Sequence, residues 1–170
     1  MTFKYAYGIT SKTKDDNHIY MGDIDQKISE YELTNLVQEI QAIYNLSDIY
    51  IIRSNHGFNL VSLDRLPLKL IYLINKETKF IDPLYTYMQT FRRGFYTLRT
   101  LPRDDKQFFG LIRHTGIFNR SNAHRMFFNN FFGFTEKDKF FMRHDPTFDE
   151  SDNVMIIKFM NSKYGWDINE

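Results

Sequence analysis

The sequence predicts an α+β fold, in which a mixed and largely antiparallel sheet is flanked by helices. Short β-branched or aromatic runs and amphipathic segments both occur, but they do not follow strict βαβ alternation, and this favours an antiparallel sheet. A chain of 170 residues normally forms one domain. Because no repeat or low-complexity linker interrupts it, we expect residues 1–170 to form a single compact domain.

Composition excludes several classes of site. The chain has no Cys, which rules out disulfides, thiolate zinc sites and Cys nucleophiles, so we expect no zinc. No apolar run reaches the ~20 residues of a membrane span, and the first residues do not resemble a secretory signal. These features predict a cytoplasmic protein in a reducing compartment that makes no contact with a membrane.

Net charge is only +1, but the basic residues are unevenly distributed. Arginines concentrate between residues 92 and 125, and clustering of this kind matters more for an anionic partner than the total charge does. Aromatic residues make up 17% of the chain. They serve either as core or, beside the arginines, as stacking surfaces for bases.

The first third of the chain predicts two strands and a helix. Residues 3–7 alternate aromatic with small or polar side chains, as in an edge strand. Residues 18–25 predict a second strand, in which Gly22 leaves room for a ligand to approach the backbone. Ser29 and Glu32 form a capping box that begins an amphipathic helix. The apolar face of this helix consists of Leu33, Leu36, Val37, Ile40, Ile43 and Tyr44.

The next segments predict a hairpin and a second helix. Residues 49–52 form a nearly continuous β-branched run, which is typical of a buried strand. Gly57 marks a turn, and residues 58–63 predict the return strand. A helix follows over residues 66–75, with Pro67 tolerated in its first turn.

The remaining elements are less regular. Asp82 as N-cap and Pro83 at the first helical position begin a third helix, which Gly94 ends. Its apolar stripe consists of Leu84, Tyr87, Met88 and Phe91. The sequence further predicts a strand at 95–100, a charged loop at 102–106, a helix from Ser121 to Gly133, an acidic loop at 145–153 and a strand at 154–160.

Two carboxylates lie at the end of the second predicted strand. Asp23 and Asp25 are two residues apart, so on a strand both side chains point to the same face. They would repel each other unless a cation lay between them, and Mg²⁺ or Mn²⁺ is the natural choice because such ions prefer oxygen ligands and a bound phosphate. Glycosyltransferases and many phosphotransfer enzymes use such a pair, although two solvated aspartates at a strand end are also common.

A hydroxyl and an imidazole lie at the predicted hairpin. Ser54 and His56 share a face if the strand continues through them, and both side chains can bond phosphate oxygens. The alternative is a plain turn with a surface histidine.

From residue 20 to residue 63 the order of these motifs resembles the archaeo-eukaryotic primase superfamily, the primase-polymerases. In that family an acidic pair and a Ser-x-His lie in this order on an RRM-like half. The resemblance implies that Asp23 and Asp25 hold catalytic Mg²⁺ or Mn²⁺. It also implies that Ser54 and His56 hold the phosphates of a nucleoside triphosphate substrate.

A weaker match to the family follows in residues 80–99. Asp82 is similar to the family's third acid, although it is also a good helix N-cap. Arg99, on a predicted strand, is a candidate phosphate contact. Arg92 and Arg93 would follow a template strand, but cations are favoured at a helix C-terminus in any case. Arg103, in the charged loop, is assigned to the same strand.

The resemblance therefore implies a template-dependent nucleotidyltransferase, a DNA primase or polymerase of the phage, plasmid or mobile-element type. Its partners would be single-stranded DNA and, as the family allows, a helicase or another replication protein. The family's zinc element is missing, since there are no Cys and the histidines are scattered. The alternatives are a non-catalytic single-strand-binding replication protein and an unrelated metal-dependent nuclease or glycosyltransferase.

Overall fold

Two antiparallel sheets and three α-helices are present in the part of the chain that the structure describes, which confirms the predicted α+β class with antiparallel strands. The structure is a computed structural model, and it describes residues 5–13, 15–101, 107–122, 124–125, 156–162 and 165–169. None of the helices in these residues has the length and apolar character that a membrane span requires.

One sheet carries the strands that bear the two predicted motifs. Its strand order is β2-β4-β3-β6, and every neighbouring pair is antiparallel. The strands are β2 (His18–Ile24), β3 (Ile49–Arg53), β4 (Phe58–Leu66) and β6 (Gln107–Ile112). The first three confirm the predicted strands, whereas β6 was not predicted.

Helix α1 (Glu30–Tyr44) connects β2 to β3. The Ser29 hydroxyl accepts a hydrogen bond of 3.1 Å from the Glu32 backbone N–H, as the capping box predicts. Asn45 ends the helix in the left-handed conformation. Most of the predicted apolar face is buried, but Ile43 is exposed.

Helix α2 (Leu68–Glu77) follows β4 and starts directly after Pro67. Helix α3 (Pro83–Tyr87) begins at the predicted Asp82 cap, where the carboxylate accepts from the Leu84 backbone N–H at 3.0 Å. It continues as a π-helix (Met88–Arg93) and ends at Gly94, whose φ is 77°. The predicted helix is therefore present, but half of it has the wider π geometry.

The second sheet has the order β5-β1-β7-β8. Its strands are β1 (Tyr5–Thr10), β5 (Thr97–Leu101), β7 (Ile156–Ser162) and β8 (Gly165–Asn169). The prediction of an edge strand at residues 3–7 was wrong, because β1 lies between β5 and β7. The predicted strand at 154–160 corresponds to β7, and β8 was not predicted.

Backbone and side-chain bonds at Ser11 join the two sheets. Its N–H donates to the Tyr96 carbonyl oxygen, and its own carbonyl accepts from the Ile19 N–H, both at 2.8 Å. Its hydroxyl oxygen accepts from the Tyr96 N–H at 3.0 Å and lies 2.8 Å from His18 Nδ1. All four residues are buried, so the junction belongs to the interior.

Part of the predicted C-terminal half lies outside the described residues. This holds for the loops at 102–106 and 145–153 and for most of the helix predicted from Ser121. The start of that helix is described, and there the Ser121 hydroxyl accepts from the His124 N–H at 3.3 Å.

Candidate functional site

The end of β2 and the turn between β3 and β4 lie against each other. A Cβ on Gly57 would lie 1.7 Å from the carbonyl oxygen of Ile24 and 3.0 Å from the backbone nitrogen of Gln26. Only a glycine permits so close an approach of two backbones. The turn that carries Ser54 and His56 is therefore in backbone contact with the segment that carries Asp25.

Asp23 lies on β2, opposite Asn59 of β4. The Asn59 side-chain amide donates a 3.0 Å hydrogen bond to the Asp23 carboxylate, and the Asp23 side chain is partly buried. A fixed amide donor holds the carboxylate in one orientation. Strand β2 ends at Ile24, so Asp25 follows the strand and its side chain is exposed.

Asp82 is brought next to Asp23 through the backbone. Its N–H donates to the Asp23 carbonyl oxygen at 2.7 Å, so the loop before α3 runs along the edge of β2. Asp25 and Asp82 line one open pocket of about 500 Å³, here called the acidic pocket. The structure thus gathers Asp23, Asp25 and Asp82, the three predicted catalytic residues, at one end of β2.

No group of three or more His, Asp or Glu side chains within the described ranges is arranged to hold a metal ion. Two of the three acids also have other bonds: Asp23 accepts from Asn59, and Asp82 caps α3. The donor set therefore comprises two carboxylates around one pocket with a third beside it. Mg²⁺ normally binds through one or two carboxylates together with substrate phosphates, and these residues fit that mode.

A second pocket has two basic residues, Lys27 and Arg53, among those that line it. It has a volume of about 420 Å³, and we call it the basic pocket. Its lining includes Lys27, Ile28, Arg53, Ser54, Asn55, Gly57 and Phe58. Because Gln26 lines the acidic pocket and Lys27 the basic one, the two pockets are neighbours along the chain.

Ser54 and His56 have different positions in this arrangement. Strand β3 ends at Arg53, and the Ser54 N–H donates to the Gly57 carbonyl oxygen at 2.9 Å, closing a tight turn. Ser54 lines the basic pocket, whereas His56 is exposed and does not line it. The structure therefore brings Ser54, but not His56, together with basic side chains.

Lys27 and Arg53 were missed in the sequence, although each directly neighbours a motif. Lys27 lies two residues after Asp25, and Arg53 directly precedes Ser54. The Arg53 guanidinium also lies 5.7 Å from the centre of the Phe109 ring. Their positions next to the motifs were only weak evidence for a role in the site, because exposed Lys and Arg are common on every surface.

Tyr85 of α3 is a further side chain close to Asp23. Burial raises the pKa of Tyr85 well above its usual value, and the Asp23 carboxylate acts in the same direction. Its hydroxyl donates to the Thr97 carbonyl oxygen at 3.2 Å. Tyr85 thus stays protonated and ties α3 to β5 behind the acids.

The predicted arginines lie apart from both pockets or outside the described side chains. Arg92 and Arg93 end the π-helix, with Arg92 exposed and Arg93 Nη1 3.4 Å from the Thr97 hydroxyl. For Arg99 of β5 the structure describes only the backbone, which pairs with Gly8 of β1. Arg103 lies outside the described residues.

Comparisons of the chain with protein-family models, with curated proteins and with solved structures found no match.

Proposed function

We propose that the protein is a template-dependent nucleotidyltransferase, a DNA primase or polymerase of the phage, plasmid or mobile-element type. The observation that carries the proposal is the backbone contact at Gly57. It brings Gly57, which lines the basic pocket, against the backbone of Gln26, which lines the acidic pocket. A nucleoside triphosphate with its divalent cation needs both kinds of surface side by side.

The order of elements also supports this reading. The run β2-α1-β3-β4-α2 follows the first five elements of the β-α-β-β-α-β motif, with β4 between β2 and β3. The RRM-like half that we propose comprises these elements. The sixth strand departs from a simple repeat of the motif, because β6 comes after α3 and β5 and pairs with β3.

The basic pocket would hold the phosphates. Lys27 supplies a point charge, Arg53 supplies a planar fork that matches phosphate oxygens, and the Ser54 hydroxyl supplies a neutral donor. Charge-assisted hydrogen bonds of this kind are about twice as strong as neutral ones. His56, exposed beside the pocket, would reach the phosphates only once the nucleotide is bound.

The acidic pocket would hold Mg²⁺ or Mn²⁺ through Asp25 and Asp82, with Asp23 oriented beside them by Asn59. When bound, such an ion neutralises charge on the α-phosphate and lowers the pKa of the attacking 3′-hydroxyl. In the reaction the 3′-oxygen bonds to the α-phosphorus, its proton passes to water, and pyrophosphate leaves. The chain contributes mainly by positioning and charge.

Incorporation of a labelled nucleotide on single-stranded DNA with Mg²⁺ or Mn²⁺ tests the proposal. We expect product from the wild type and a loss of at least about 100-fold in Asp25→Asn, because a neutral amide is a poorer metal ligand. Asp25 is exposed, so this variant should fold normally. Asp23→Ala should also lose activity.

Asp16→Asn is the matched control, because Asp16 is an exposed aspartate on another turn. Its φ is 61°, a conformation that Asn tolerates well. Equal incorporation by Asp25→Asn and by Asp16→Asn would refute the proposal. Shortening of the labelled strand instead of extension would favour a metal-dependent nuclease.

A non-catalytic single-strand-binding replication protein is the second candidate. The observation that favours it is that two of the three acids already have hydrogen-bond partners, Asn59 for Asp23 and the start of α3 for Asp82. This function predicts strand binding without Mg²⁺, without nucleotide and without dependence on Asp25. The same incorporation assay separates the two candidates.

A further inference from the structure

The apolar stripe of α3 and the π-helix faces solvent. The exposed fractions are 67% for Leu84, 53% for Tyr87 and 58% for Phe91, and Met88 is also exposed. Side chains at this spacing normally turn toward the core. An exposed stripe of this kind on a folded protein indicates a binding surface.

Aromatic rings form a connected series on this surface. The ring centres of Tyr87 and Phe91 are 5.4 Å apart, and those of Phe91 and Tyr72 of α2 are 5.0 Å apart in an edge-on arrangement. The Lys76 ammonium lies 5.9 Å from the centre of the Tyr72 ring. We call Tyr72, Tyr87 and Phe91 the aromatic platform.

Basic residues outnumber acidic ones in the segment that carries the aromatic platform. From α2 to the end of the π-helix the chain has five basic residues, Lys69, Lys76, Lys79, Arg92 and Arg93, against two acidic ones, Glu77 and Asp82. Helical spacing places Lys69, Tyr72 and Lys76 on one face of α2. The partner that fits is therefore anionic and offers flat rings for stacking.

We propose that the aromatic platform binds single-stranded nucleic acid. Tyr87 and Phe91 would stack on unpaired bases, which offer π-faces that a duplex keeps inside its own stack, while Lys76 and Arg92 would contact the backbone phosphates. The π-helix supports this role, because π geometry is rare and frequently occurs at functional sites.

This inference rests on the proposed function in one respect, since it assigns the template-binding surface. Asp82, the N-cap of α3, lines the acidic pocket, so the same helical segment carries both the pocket and the aromatic platform. Binding itself needs neither metal nor nucleotide, and the test uses neither.

Fluorescence anisotropy of a labelled oligothymidylate, titrated with the full chain, measures the binding. We expect Phe91→Ala and Tyr87→Ala each to raise Kd by about fivefold to 150-fold, the range found for loss of one stacked base. Phe91→Leu should weaken binding as well, because it keeps the apolar surface and removes the ring. Arg92→Ala should reduce the salt dependence of log K by about 0.7, as for one phosphate contact to a single strand.

Tyr31→Ala is the matched control, because Tyr31 of α1 is a 77% exposed aromatic residue on a different helix. It should bind the strand like the wild type. Circular dichroism and thermal unfolding of each variant show that loss of binding is not loss of fold. Since Tyr87 and Phe91 are largely exposed, their truncation should leave the fold intact.

The inference would be overturned by wild-type protein that does not bind the strand, by Phe91→Ala binding equal to Tyr31→Ala, or by Phe91→Leu binding equal to wild type. A change of oligomeric state in Phe91→Ala with unchanged strand affinity would also overturn it. Asp25→Asn should still bind the strand. Failure of the aromatic platform variants and failure of nucleotide incorporation are thus separate observations.

Discussion

Gly57 and Gly22 show how single residues position the candidate site. Gly57 lets the β3–β4 turn approach Ile24, where a Cβ would lie 1.7 Å from a backbone oxygen. Gly22 was expected to leave room for a ligand, but side chains of the protein itself occupy that space. A Cβ there would lie 2.5 Å from Tyr20 Oη and 3.1 Å from Asn75 Oδ1. Gly57 therefore permits the contact between the turn and the end of β2, and Gly22 permits the packing of Tyr20 and Asn75 against β2.

Gly57→Ala should destabilise the protein by about 3 kcal/mol or more, because backbone atoms cannot yield as a flexible side chain can. Urea unfolding measures this. Gly110→Ala in β6 is the matched control, since a Cβ there meets nothing within 4 Å. The change at Gly110 should alter stability by less than about 1 kcal/mol. Similar unfolding midpoints for the two variants would contradict the close contact at Gly57.

The residues that the sequence singled out are those whose type alone carries chemistry. Asp23, Asp25 and Ser54 stood out because carboxylates and hydroxyls at strand ends are informative, and all three lie at the end of β2 or in the adjoining turn. Lys27 and Arg53 did not stand out. Lys27 and Ser54 line the same pocket, and that proximity exists only after β2, β3 and the turn have packed. Arg53 directly precedes Ser54 in the chain, but exposed arginines are common next to any motif.

At the level of elements, α1 determines where both motif segments lie. Five residues separate it from the end of β2 and four from the start of β3, so its N-terminus follows the segment that carries Asp23 and Asp25 and its C-terminus precedes the strand that carries Arg53. Its cap is a single hydroxyl. The stability of α1 should therefore depend measurably on Ser29.

Ser29→Ala should lower the free energy of unfolding by about 1 kcal/mol, because the Glu32 N–H loses its acceptor. Ser29→Asp supplies another acceptor and a charge that suits a helix N-terminus, so it should retain wild-type stability. Chemical denaturation of the three proteins compares them directly. If alanine and aspartate behaved alike, the cap would contribute nothing.

The helices illustrate what a periodic pattern can and cannot predict. Asp82, Pro83 and Gly94 marked the ends of the third helix correctly, because caps act through local backbone chemistry. The apolar stripe was also identified correctly. Which way it faces is a tertiary property, and spacing alone did not reveal that Tyr87 and Phe91 lie exposed or that the second half is a π-helix.

At the scale of the whole molecule, the position of each strand within a sheet depends on pairing between distant segments of the chain, which local sequence patterns do not reveal. Residues 3–7 alternate in the manner of an edge strand, yet β1 lies between β5 and β7, which come from distant parts of the chain. Strands β6 and β8 were missed because short segments with few β-branched residues resemble loops. The class of fold could be predicted from local patterns. The division of the strands into two sheets could not, because it depends on which strands pair with each other.

The junction of the two sheets contains a titratable group. His18 Nδ1 lies 2.8 Å from the Ser11 hydroxyl, which also accepts from the Tyr96 N–H. This arrangement suits a neutral imidazole whose Nδ1 accepts a hydrogen bond. Burial lowers the pKa of His18 below its usual 6.5, and Lys12 adds to the effect.

The pKa of His18 predicts how the stability of the whole molecule depends on pH. In the unfolded chain the imidazole takes up its proton near pH 6.5, whereas in the folded chain it does so only at lower pH. Between these values the unfolded state binds more protons, so stability is complete above pH 6.5 and falls as the pH drops toward the folded pKa. The urea concentration at the unfolding midpoint should therefore decrease as the pH is lowered from about 7.5 to about 5.5.

His18→Gln removes the titrating group and should flatten this part of the pH profile. His56→Gln is the matched control, because it makes the same substitution at an exposed histidine in the β3–β4 turn. The Asp15 carboxylate, whose pKa is lowered from 3.8 chiefly by a hydrogen bond from Thr13, affects stability only at more acidic pH. If His18→Gln lost stability between the two pH values as steeply as the wild type, then the junction between the sheets would not be the source of the pH dependence.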